Sequence, residues 1–355
     1  MKIGDITKIR TGKLDANASS EDGAYPFFTC STEPLRISTY SYDCECVLVA
    51  GNGDLNVKYY NGKFDAYQRT YIIEDNSDGK LFMPYLYYFM EGYIEELRNQ
   101  AIGGVIKYIK LGNLTDAMIE LPDVKIQKKI VDILSKTKEA LDLRNRLIDM
   151  LDNLIKARFV EMFGNEQRKV KMREICSIIT DGTHQPPKFV DEGIPFIFVS
   201  NITGNEVTYD AEKFIDKKTY DELIKRTPLE IGDVILSTVG SYGHPAVVKS
   251  DREFLFQRHI AYLKPKRDVV NSEYLHSAIL SADVQGQIDE GVKGIAQKTL
   301  NLSAIKELSI PLPSMRAQEE FVIFKAQVDK SKVAVQKSLD VTQVLFDALM
   351  QKYFE

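Results

Sequence analysis

Cysteine is scarce in this sequence, and its pattern excludes two kinds of protein. The 355 residues include only four cysteines, Cys30, Cys44, Cys46 and Cys176, too few for the disulfide framework of a small secreted domain. Cys44 and Cys46 lie in an alternating, strand-like pattern, and no second cysteine pair completes a zinc site. We therefore expect reduced thiols, no metal and a cytoplasmic location.

Long hydrophobic runs are also lacking. The longest, LFMPYLYYFM, contains Pro84 and is too short to cross a bilayer. The opening residues MKIGDITKIRTGK hold no apolar segment of a signal peptide. With 44% hydrophobic and 27% charged residues, the composition is typical of a soluble globular protein long enough for two domains. No membrane partner is expected.

Motifs for catalysis and cofactor binding are missing as well. No Gly-Lys pair is followed by the Ser or Thr of a phosphate-binding P-loop, and Gly51 and Gly53 lack the third glycine of a dinucleotide site. In HQPPKF, Gln185 and Lys188 stand where a similar methyltransferase loop has Asp or Asn and an aromatic residue. We expect no enzymatic activity and no cofactor.

The chain has no excess of positive charge. Lys and Arg number 46 and Asp and Glu 51, which gives a net charge of −5. This balance argues against a lone, non-specific binder of nucleic acid. It does not exclude a protein that reads bases while a partner supplies the phosphate contacts.

What the sequence does contain is a long-period repeat. IELPDVKIQKKI from Ile119 and IPLPSMRAQEEF from Ile310 share Ile, Leu-Pro and a later Gln at an offset of 191 residues. Other anchors match too: Gln68-Arg69 with Gln257-Arg258, Gly103 with Gly294, and Leu111 with Leu302. The residues between these anchors differ between the two halves. The halves therefore share a common framework but carry different central segments. A histidine catalyst common to both halves is not expected, because all histidines lie in the second: His184, His244, His259 and His276.

Each half ends in a pattern that predicts one long helix, over Gln127–Phe163 and Gln318–Phe354. Apolar residues recur every seven positions, as in coiled coils. The rows are Ile126, Ile133, Ala140, Leu147 and Leu154; Leu134, Leu141, Ile148, Ile155 and Met162; and Phe321, Val328, Val335, Thr342 and Leu349. Where one helix has a poor row the other is rich, so we predict that the two pair, with Leu147, Leu154, Val328 and Val335 buried. The alternative is two unrelated core helices.

These patterns define an α+β fold. Two α/β domains alternate with two long helices that pair as an antiparallel coiled coil, and an internal pseudo-two-fold relates the halves. The predicted segments are a first variable domain at 1–118, a first helical spacer at 119–166, a second variable domain at 167–309 and a second helical spacer at 310–355. Each variable domain is expected to hold one shorter helix, around 84–99 and 272–287.

This organisation resembles the DNA-specificity subunit of type I restriction–modification systems. The resemblance covers essentially the whole chain. It is carried by the repeated Leu-Pro…Gln with heptads and by three stretches of the second half, ITDGTHQPPKFVDEGIPFIFVSNI, LEIGDVILSTVGSYGHPAVV and FQRHIAYLKP. The first half is similar more weakly, in VLVAGNGDLNVKYYNGKFDAYQRTYII and LPDVKIQKKI, and lacks a GTH or IPF counterpart.

The resemblance implies a non-catalytic reader of double-stranded DNA. Each target-recognition domain would bind one half of a bipartite, asymmetric site, and the helices would set the spacer and dock two modification subunits. Those subunits would carry S-adenosylmethionine and methylate adenine, and restriction subunits would add ATP-driven translocation and cleavage. Two rivals remain at this stage: a non-catalytic scaffold that pairs two protein-binding modules, and a self-sufficient methyltransferase or nuclease fragment.

Polar side chains with forked donors are the candidate base readers, because Arg suits guanine and Asn or Gln suits adenine. In the first domain these are Arg10, Ser31, Thr32, Asn52, Asn56, Lys58, Gln68 and Arg69. In the second they are Thr183, His184, Gln185, Asn201, Ser241, Tyr242, His244, Arg258 and Lys293. For the shared Gln-Arg pairs, support of the common frame is an equal alternative.

Overall fold

A computed structural model describes residues 1–294 and 298–354, so Glu355, the end of the fourth predicted segment, lies outside the described residues. The chain divides into two compact units. The first comprises residues 1–146 together with the stretch from Gln336 onward, and the second comprises residues 147–335. Each long helix therefore contributes to both units. Within the described part of the chain, no helix is long and apolar enough to cross a membrane.

The first unit is built on one mixed sheet. Its elements are α1 (Ile3–Ile6), β1 (Thr7–Thr11), β2 (Tyr25–Phe28), β3 (Leu35–Ile37), β4 (Tyr42–Ala50), β5 (Val57–Ala66), β6 (Thr70–Asp75), α2 (Met83–Gly92), α3 (Ile94–Gln100), α4 (Leu111–Thr115) and the start of α5 (Val124–Phe163). The six strands are ordered β1-β6-β4-β5-β2-β3, with β2 and β5 parallel and every other neighbouring pair antiparallel. One face of the sheet packs on α2, where Val47, Val49 and Ile73 meet Leu86 in the core.

The second unit carries smaller sheets. Its elements are β7 (Lys169–Lys171), α6 (Met172–Ile175), β8 (Cys176–Asp181), β9 (Ile194–Ile197), β10 (Phe214–Ile215), α7 (Lys217–Leu223), β11 (Val234–Ser237), β12 (Pro245–Val247), β13 (Leu255–Phe256), β14 (Ile260–Pro265), α8 (Ser272–Ile279), α9 (Ala282–Gly291), β15 (Val292–Lys293), β16 (Thr299–Leu300), α10 (Leu302–Glu307), β17 (Ser309–Pro311) and the start of α11 (Met315–Phe354). The described sheets are β12-β11-β14-β8, β10-β9-β13, β15-β16 and β17-β7.

The shorter helices differ from the prediction. The expected helix around 84–99 is two helices, because α2 ends at Gly92 and Tyr93 separates it from α3. The helix around 272–287 is also two. The first ends at Ile279, and Ser281 caps the second by accepting a hydrogen bond from the amide of Val284 at 3.4 Å, the role that Ser favours at a helix N-terminus.

The Gln of the first Leu-Pro…Gln motif is a buried connector. Gln127 is fully buried. Its Oε1 accepts from the Phe82 amide at 2.8 Å, and its Nε2 donates to the carbonyls of Lys80 and Pro122 at 2.8 and 2.7 Å. One side chain thus joins the first turn of α5 to the segment that leads into α2.

The second motif makes the corresponding contacts in its own unit. Gln318 is also fully buried. Its Oε1 accepts from the Asn271 amide at 2.9 Å, and its Nε2 donates to the carbonyls of Pro313 and Val269 at 3.0 and 3.3 Å. In both units a tyrosine hydroxyl bonds the backbone at the motif: Tyr85 donates to Glu120 O at 3.0 Å, and Tyr274 donates to Pro311 O at 2.8 Å.

In the first unit the end of α11 packs beside the start of α5. Phe346, Leu349 and Phe354 pack on the core cluster that contains Leu134. Farther along α5, the Arg144 Nε donates to Ser338 Oγ at 2.9 Å. Later residues of α5 therefore meet earlier residues of α11.

In the second unit the same order of contacts holds. Asp152 pairs with Lys332, the Arg158 guanidinium lies 5.6 Å from the centroid of the Phe324 ring, and the Phe159 ring lies 5.4 Å from that of Phe321. Lys325, only 7% exposed, pairs with Glu273 of α8. At the same place in its helix the first unit has the buried Leu134.

The predicted burial of two leucines is wrong. Leu147 and Leu154 are 39% and 46% exposed, whereas Val328 is buried and Val335 is half-buried. On α5 the buried row is the other one, with Leu134 0% and Leu141 7% exposed. In each unit the α5 residues of the Leu134 row are the more buried ones. The residues of the row through Leu147 are the more exposed ones.

Replacing the buried glutamine with leucine is expected to destabilise the first unit. Gln127→Leu keeps the side-chain size but leaves one amide and two carbonyls without partners, each costing about 1–3 kcal/mol. Urea denaturation should show a loss of about 3 kcal/mol or more in the free energy of unfolding. The control Gln343→Leu changes an exposed glutamine of α11 and should alter stability little; equal losses in the two variants would contradict the role of Gln127.

Candidate functional site

In the first unit, three loops meet at one end of β4, β5 and β6. The Gly51 amide donates to Arg69 O at 2.8 Å, and the Asn56 Nδ2 donates to Cys30 O at 2.8 Å. Cys30 Sγ lies 3.7 Å from Arg69 O. These bonds bring together seven of the eight sequence-predicted residues of this domain: Ser31, Thr32, Asn52, Asn56, Lys58, Gln68 and Arg69.

Exposure divides this first loop cluster. Ser31, Thr32, Gln68 and Arg69 are exposed. Gln68 is held at the surface, since its Nε2 donates to Asp15 Oδ1 at 2.8 Å. Asn52 is half-buried beside Tyr108, with which it forms a β-bridge.

Two members of the cluster hold the loops themselves. The Asn56 Nδ2 donates to the carbonyls of Cys30 and Asp54, and its Oδ1 accepts from Lys58. The amide is therefore used within the protein, which argues against a base-reading role for Asn56. Burial lowers the pKa of Lys58, and the acidic Cys30 and Glu33 oppose that shift.

Arg10 does not join the cluster. It lies on β1, where its Nε is 2.7 Å from Glu74 Oε1 and its guanidinium lies 4.7 Å from the centroid of the Tyr42 ring. These contacts with the neighbouring strands are typical of a structural arginine and argue against base reading.

The second unit brings the corresponding loops together with another set of bonds. The Arg258 amide donates to Thr183 O at 3.0 Å, and the Thr183 amide donates to Phe256 O at 2.9 Å. The Thr238 amide donates to His259 O at 2.9 Å. A cleft of about 520 Å³ opens here, lined by Asp181, Thr238, Val239, Arg258, His259, Thr299, Leu300, Asn301, Leu302 and Ser303.

The cleft combines a cation with an imidazole that stays neutral. Arg258 is exposed, and its Nε lies 3.4 Å from His259 Nε2. Burial, and secondly the charge of Arg258, lower the pKa of His259 below its ordinary value of 6.5. A neutral imidazole has one donor and one acceptor, and its Nε2 accepts from the Arg258 Nε. The groups that this pair has left for a ligand are therefore donors.

His184 lies in a polar triad beside the cleft. Its Nε2 is 3.0 Å from Asp181 Oδ1 and 3.0 Å from Arg226 Nη2, and Arg226 Nη2 is 2.5 Å from Asp181 Oδ1. Asp181 thus positions two exposed side chains. Gln185, the next residue along this loop, is exposed.

The remaining candidates of the second domain divide into buried or bound residues and exposed ones. Asn201 is 8% exposed; its Oδ1 accepts from the Phe198 amide and its Nδ2 donates to Asp210 O and Thr208 Oγ1, which argues against base reading. His244 Nδ1 lies 3.1 Å from Asn205 Oδ1, and the Tyr242 hydroxyl donates to Asp289 at 2.9 Å. Ser241 and Lys293 are exposed.

Three polar residues of this region escaped sequence reasoning. Asp181 and His259 lie in the cleft, and Arg226 joins His184 from a short 3-10 helix at Ile224–Arg226. His259 directly follows the Gln257-Arg258 pair, so its neighbour was a usable signal. Nothing in the local sequence marks Arg226, because its partners are 42 and 45 residues away in the chain.

Neither cluster has the composition of a metal centre. In residues 1–294 and 298–354, no group of three or more His, Cys, Asp and Glu side chains is placed to hold an ion. What the two loop clusters present is exposed guanidinium, hydroxyl and amide groups, which form hydrogen bonds with base edges and phosphates.

Comparison with known proteins identifies the family. The profile described as "Type I restriction modification DNA specificity domain" matches residues 1–153 and 165–341. The chain belongs to this family.

Curated relatives share parts of the sequence. The chain is 36% identical over 156 residues to the type I restriction enzyme EcoDI specificity subunit of Escherichia coli, covering 44% of this chain and 34% of that protein. It is 24% identical over 311 residues to the EcoBI specificity subunit of Escherichia coli, covering 78% of this chain and 65% of that protein. The chain thus spans about a third to two-thirds of these relatives' length.

Solved structures share the fold. The crystal structure of the type I restriction-modification system S subunit from M. genitalium matches with a TM-score of 0.63 at 16% identity, covering all of this chain and 95% of that one. A chain from a study of complex assembly and conformational transition of the type I R-M system matches with a TM-score of 0.59 at 17% identity, covering all of this chain and 97% of that one. Both likenesses concern the fold alone.

The pKa of His259 should depend on its neighbour. Arg258→Ala removes a positive charge and is expected to raise the His259 pKa toward 6.5, while burial keeps it below that value. The folded chain holds this proton less tightly than the unfolded chain. The free energy of unfolding therefore falls as the pH drops below about 6.5, and it falls less in Arg258→Ala than in the wild type. NMR titration of the four histidines measures the shift. Arg252→Ala, an exposed arginine of the same unit, should leave it unchanged; no rise in Arg258→Ala would contradict the assignment.

Proposed function

We propose that this chain is the specificity subunit of a type I restriction–modification complex and reads a bipartite site in double-stranded DNA. The observation that carries the proposal is the pair of loop clusters, one in each unit, around Gln68-Arg69 and Gln257-Arg258. Family membership and the printed names of the relatives support the same role. Methylation and cleavage belong to partner subunits, and the chain itself is non-catalytic and acts in the cytoplasm.

Matching backbone geometry supports an internal repeat. The Gly53 amide donates to Lys107 O at 3.0 Å and the Gly240 amide to Lys298 O at 3.2 Å. Both glycines have a left-handed backbone, with φ of 70° and 72°, a conformation that favours glycine. A pseudo-two-fold that relates the domains suits a duplex read in two halves, here by target-recognition domains at 1–118 and 167–309.

The two long helices are proposed to form an antiparallel coiled coil that sets the spacer between half-sites. The contact between Arg144 and Ser338 in the first unit supports this pairing, as do those of Asp152 with Lys332 and Phe159 with Phe321 in the second. From one contact to the next the residue number rises along α5 and falls along α11, which is the order found between antiparallel helices. The helical spacers then correspond to segments 119–166 and 310–355.

The same helices are proposed to dock two modification subunits. On the α5 surface of the second unit, Leu147, Met150 and Leu154 are 39%, 66% and 46% exposed, and their spacing of three and four places them on one helix face. Such an apolar row is typical of a partner contact. The modification subunits carry S-adenosylmethionine, methylate adenine and supply the phosphate contacts that a chain of net charge −5 lacks. Restriction subunits complete the larger complex.

Two arginine variants test whether the half-sites are read separately. Arg69→Ala should relax one half of the recognised sequence and Arg258→Ala the other. Loss of a bidentate contact to guanine costs about 1–3 kcal/mol, or roughly 5- to 150-fold in affinity. Methylation profiling of a genome that expresses each variant with the modification subunit reports the motif. Arg252→Ala serves as the control, and a change in both halves from one substitution would contradict separate reading.

Two exposed leucines test the docking surface. Leu147→Ser with Leu154→Ser should cost little stability compared with a change at a buried position, because the two side chains are 39% and 46% exposed. Binding to the modification subunit, measured by calorimetry, should weaken about tenfold or more, since interface anchors commonly cost over 1 kcal/mol. Val328→Ser, at a buried position, should instead cost stability. Unchanged partner affinity of the leucine variant would remove this face from the interface.

A further inference from the structure

A short hairpin tip in the first unit carries unusually exposed apolar side chains. The segment from Ile102 to Tyr108 reads IGGVIKY. Val105 is 104% exposed relative to its reference and Ile106 is 63% exposed. Val105 is thus fully open to water and Ile106 is mostly so, which leaves their apolar surface available to a ligand.

The tip is held on a closed base. Ile102 and Tyr108 exchange backbone hydrogen bonds of 3.0 and 2.8 Å. Gly103 has φ of 123°, and a Cβ there would lie 2.6 Å from Ile106 O. The tight turn therefore requires this glycine, and it presents Val105 and Ile106 in a defined place.

The base of the tip is joined to the first loop cluster. The Gly53 amide donates to Lys107 O at 3.0 Å, and the Ile109 amide donates to Gly51 O at 2.9 Å. Asn52 forms a β-bridge with Tyr108. Any duplex in contact with Asn52 therefore comes close to the tip, because Val105 and Ile106 lie only three and two residues before Tyr108.

The size and charge of the tip fit a nucleic-acid ligand. Two projecting side chains are far too few for a stable protein interface, which buries about 800 Å² on each partner. Apolar side chains that contact DNA bases act singly or in pairs, against thymine methyl groups or as wedges between base steps. Lys107 and Lys110, both exposed, flank the tip with the positive charge that phosphates attract.

We propose that Val105 and Ile106 form an apolar DNA contact that the first domain adds to its polar readout, touching the methyl groups or faces of bases within or beside its half-site. This inference rests on the proposed function. It assigns specificity at that position to hydrophobic contact as well as to hydrogen bonds, and it adds two specificity-determining residues to the first domain.

The test uses the full chain with its modification subunit on a duplex that contains the motif found by methylation profiling. One duplex series replaces each thymine of the first half-site and its flanks by uracil, which removes the methyl group. A second series places 2-aminopurine at each adenine, whose fluorescence rises when the base unstacks. The variant is Val105→Thr with Ile106→Thr, and the control is Met118→Thr, an exposed apolar residue of the same unit, 64% exposed.

For the wild-type chain and the control, we expect one position to respond, by about a threefold loss of affinity with uracil or a comparable rise in 2-aminopurine fluorescence. A uracil response assigns methyl contact and a fluorescence response assigns a wedge. The double variant should bind the unmodified duplex about three- to tenfold more weakly and lose the response, with its melting temperature unchanged because both side chains are exposed.

Two results would overturn the inference while leaving the proposed function intact: specific binding by the wild-type chain with no responding position, or a double variant that responds as the wild type does. Failure of the wild-type complex to bind any bipartite duplex overturns both proposals.

Discussion

The contact on which each unit depends is a glutamine side chain that is wholly removed from water. At Gln127 and Gln318 one amide group satisfies three backbone groups that the fold buries. Buried backbone groups must be paired, and a carboxamide can do so for three of them because it offers two N–H donors and an acceptor oxygen on one planar group. The start of the long helix is thereby fixed against the helix that backs the sheet. The strand ends, and so the loops they carry, take their positions from that arrangement.

Much of this frame could be predicted from residue spacing. The Leu-Pro…Gln repeat located both connectors, and the uninterrupted heptads predicted helices that the structure places at Val124–Phe163 and Met315–Phe354. Which face of α5 is buried could not be predicted in the same way. Helix α5 carries two apolar rows, and periodicity alone gives no means of deciding which one meets the protein, so Leu147 and Leu154 were assigned to the wrong side. The structure leaves the row through Leu147 partly exposed on α5.

The loop residues were less predictable than the frame. Ser31, Thr32, Gln68 and Arg69 are exposed where a ligand could reach them. Asn56, Asn201 and Arg10 have the same donor groups but use them within the protein. Composition cannot separate the two cases, because the partner of each side chain is supplied by a distant loop or strand. The exposure of Val105 and Ile106 could not be predicted either, because apolar residues in a sequence normally indicate positions in the core.

The ion pair between the buried Lys325 and the half-buried Glu273 has a consequence for genetic exchange. Its two charges come from different segments, the second variable domain and the helix that follows it, while the first unit uses the neutral Leu134 at the corresponding place. Recombination that swaps a variable domain must therefore bring a compatible partner for residue 325. A crossover that separates the two leaves the buried Lys325 with only the more distant Asp329, at 3.9 Å, as a counter-ion, and a buried charge that loses its nearest partner destabilises the fold. Chimaeras joined on the helix side of Lys325 keep the pair together, so the join that preserves this ion pair lies inside the long helix α11.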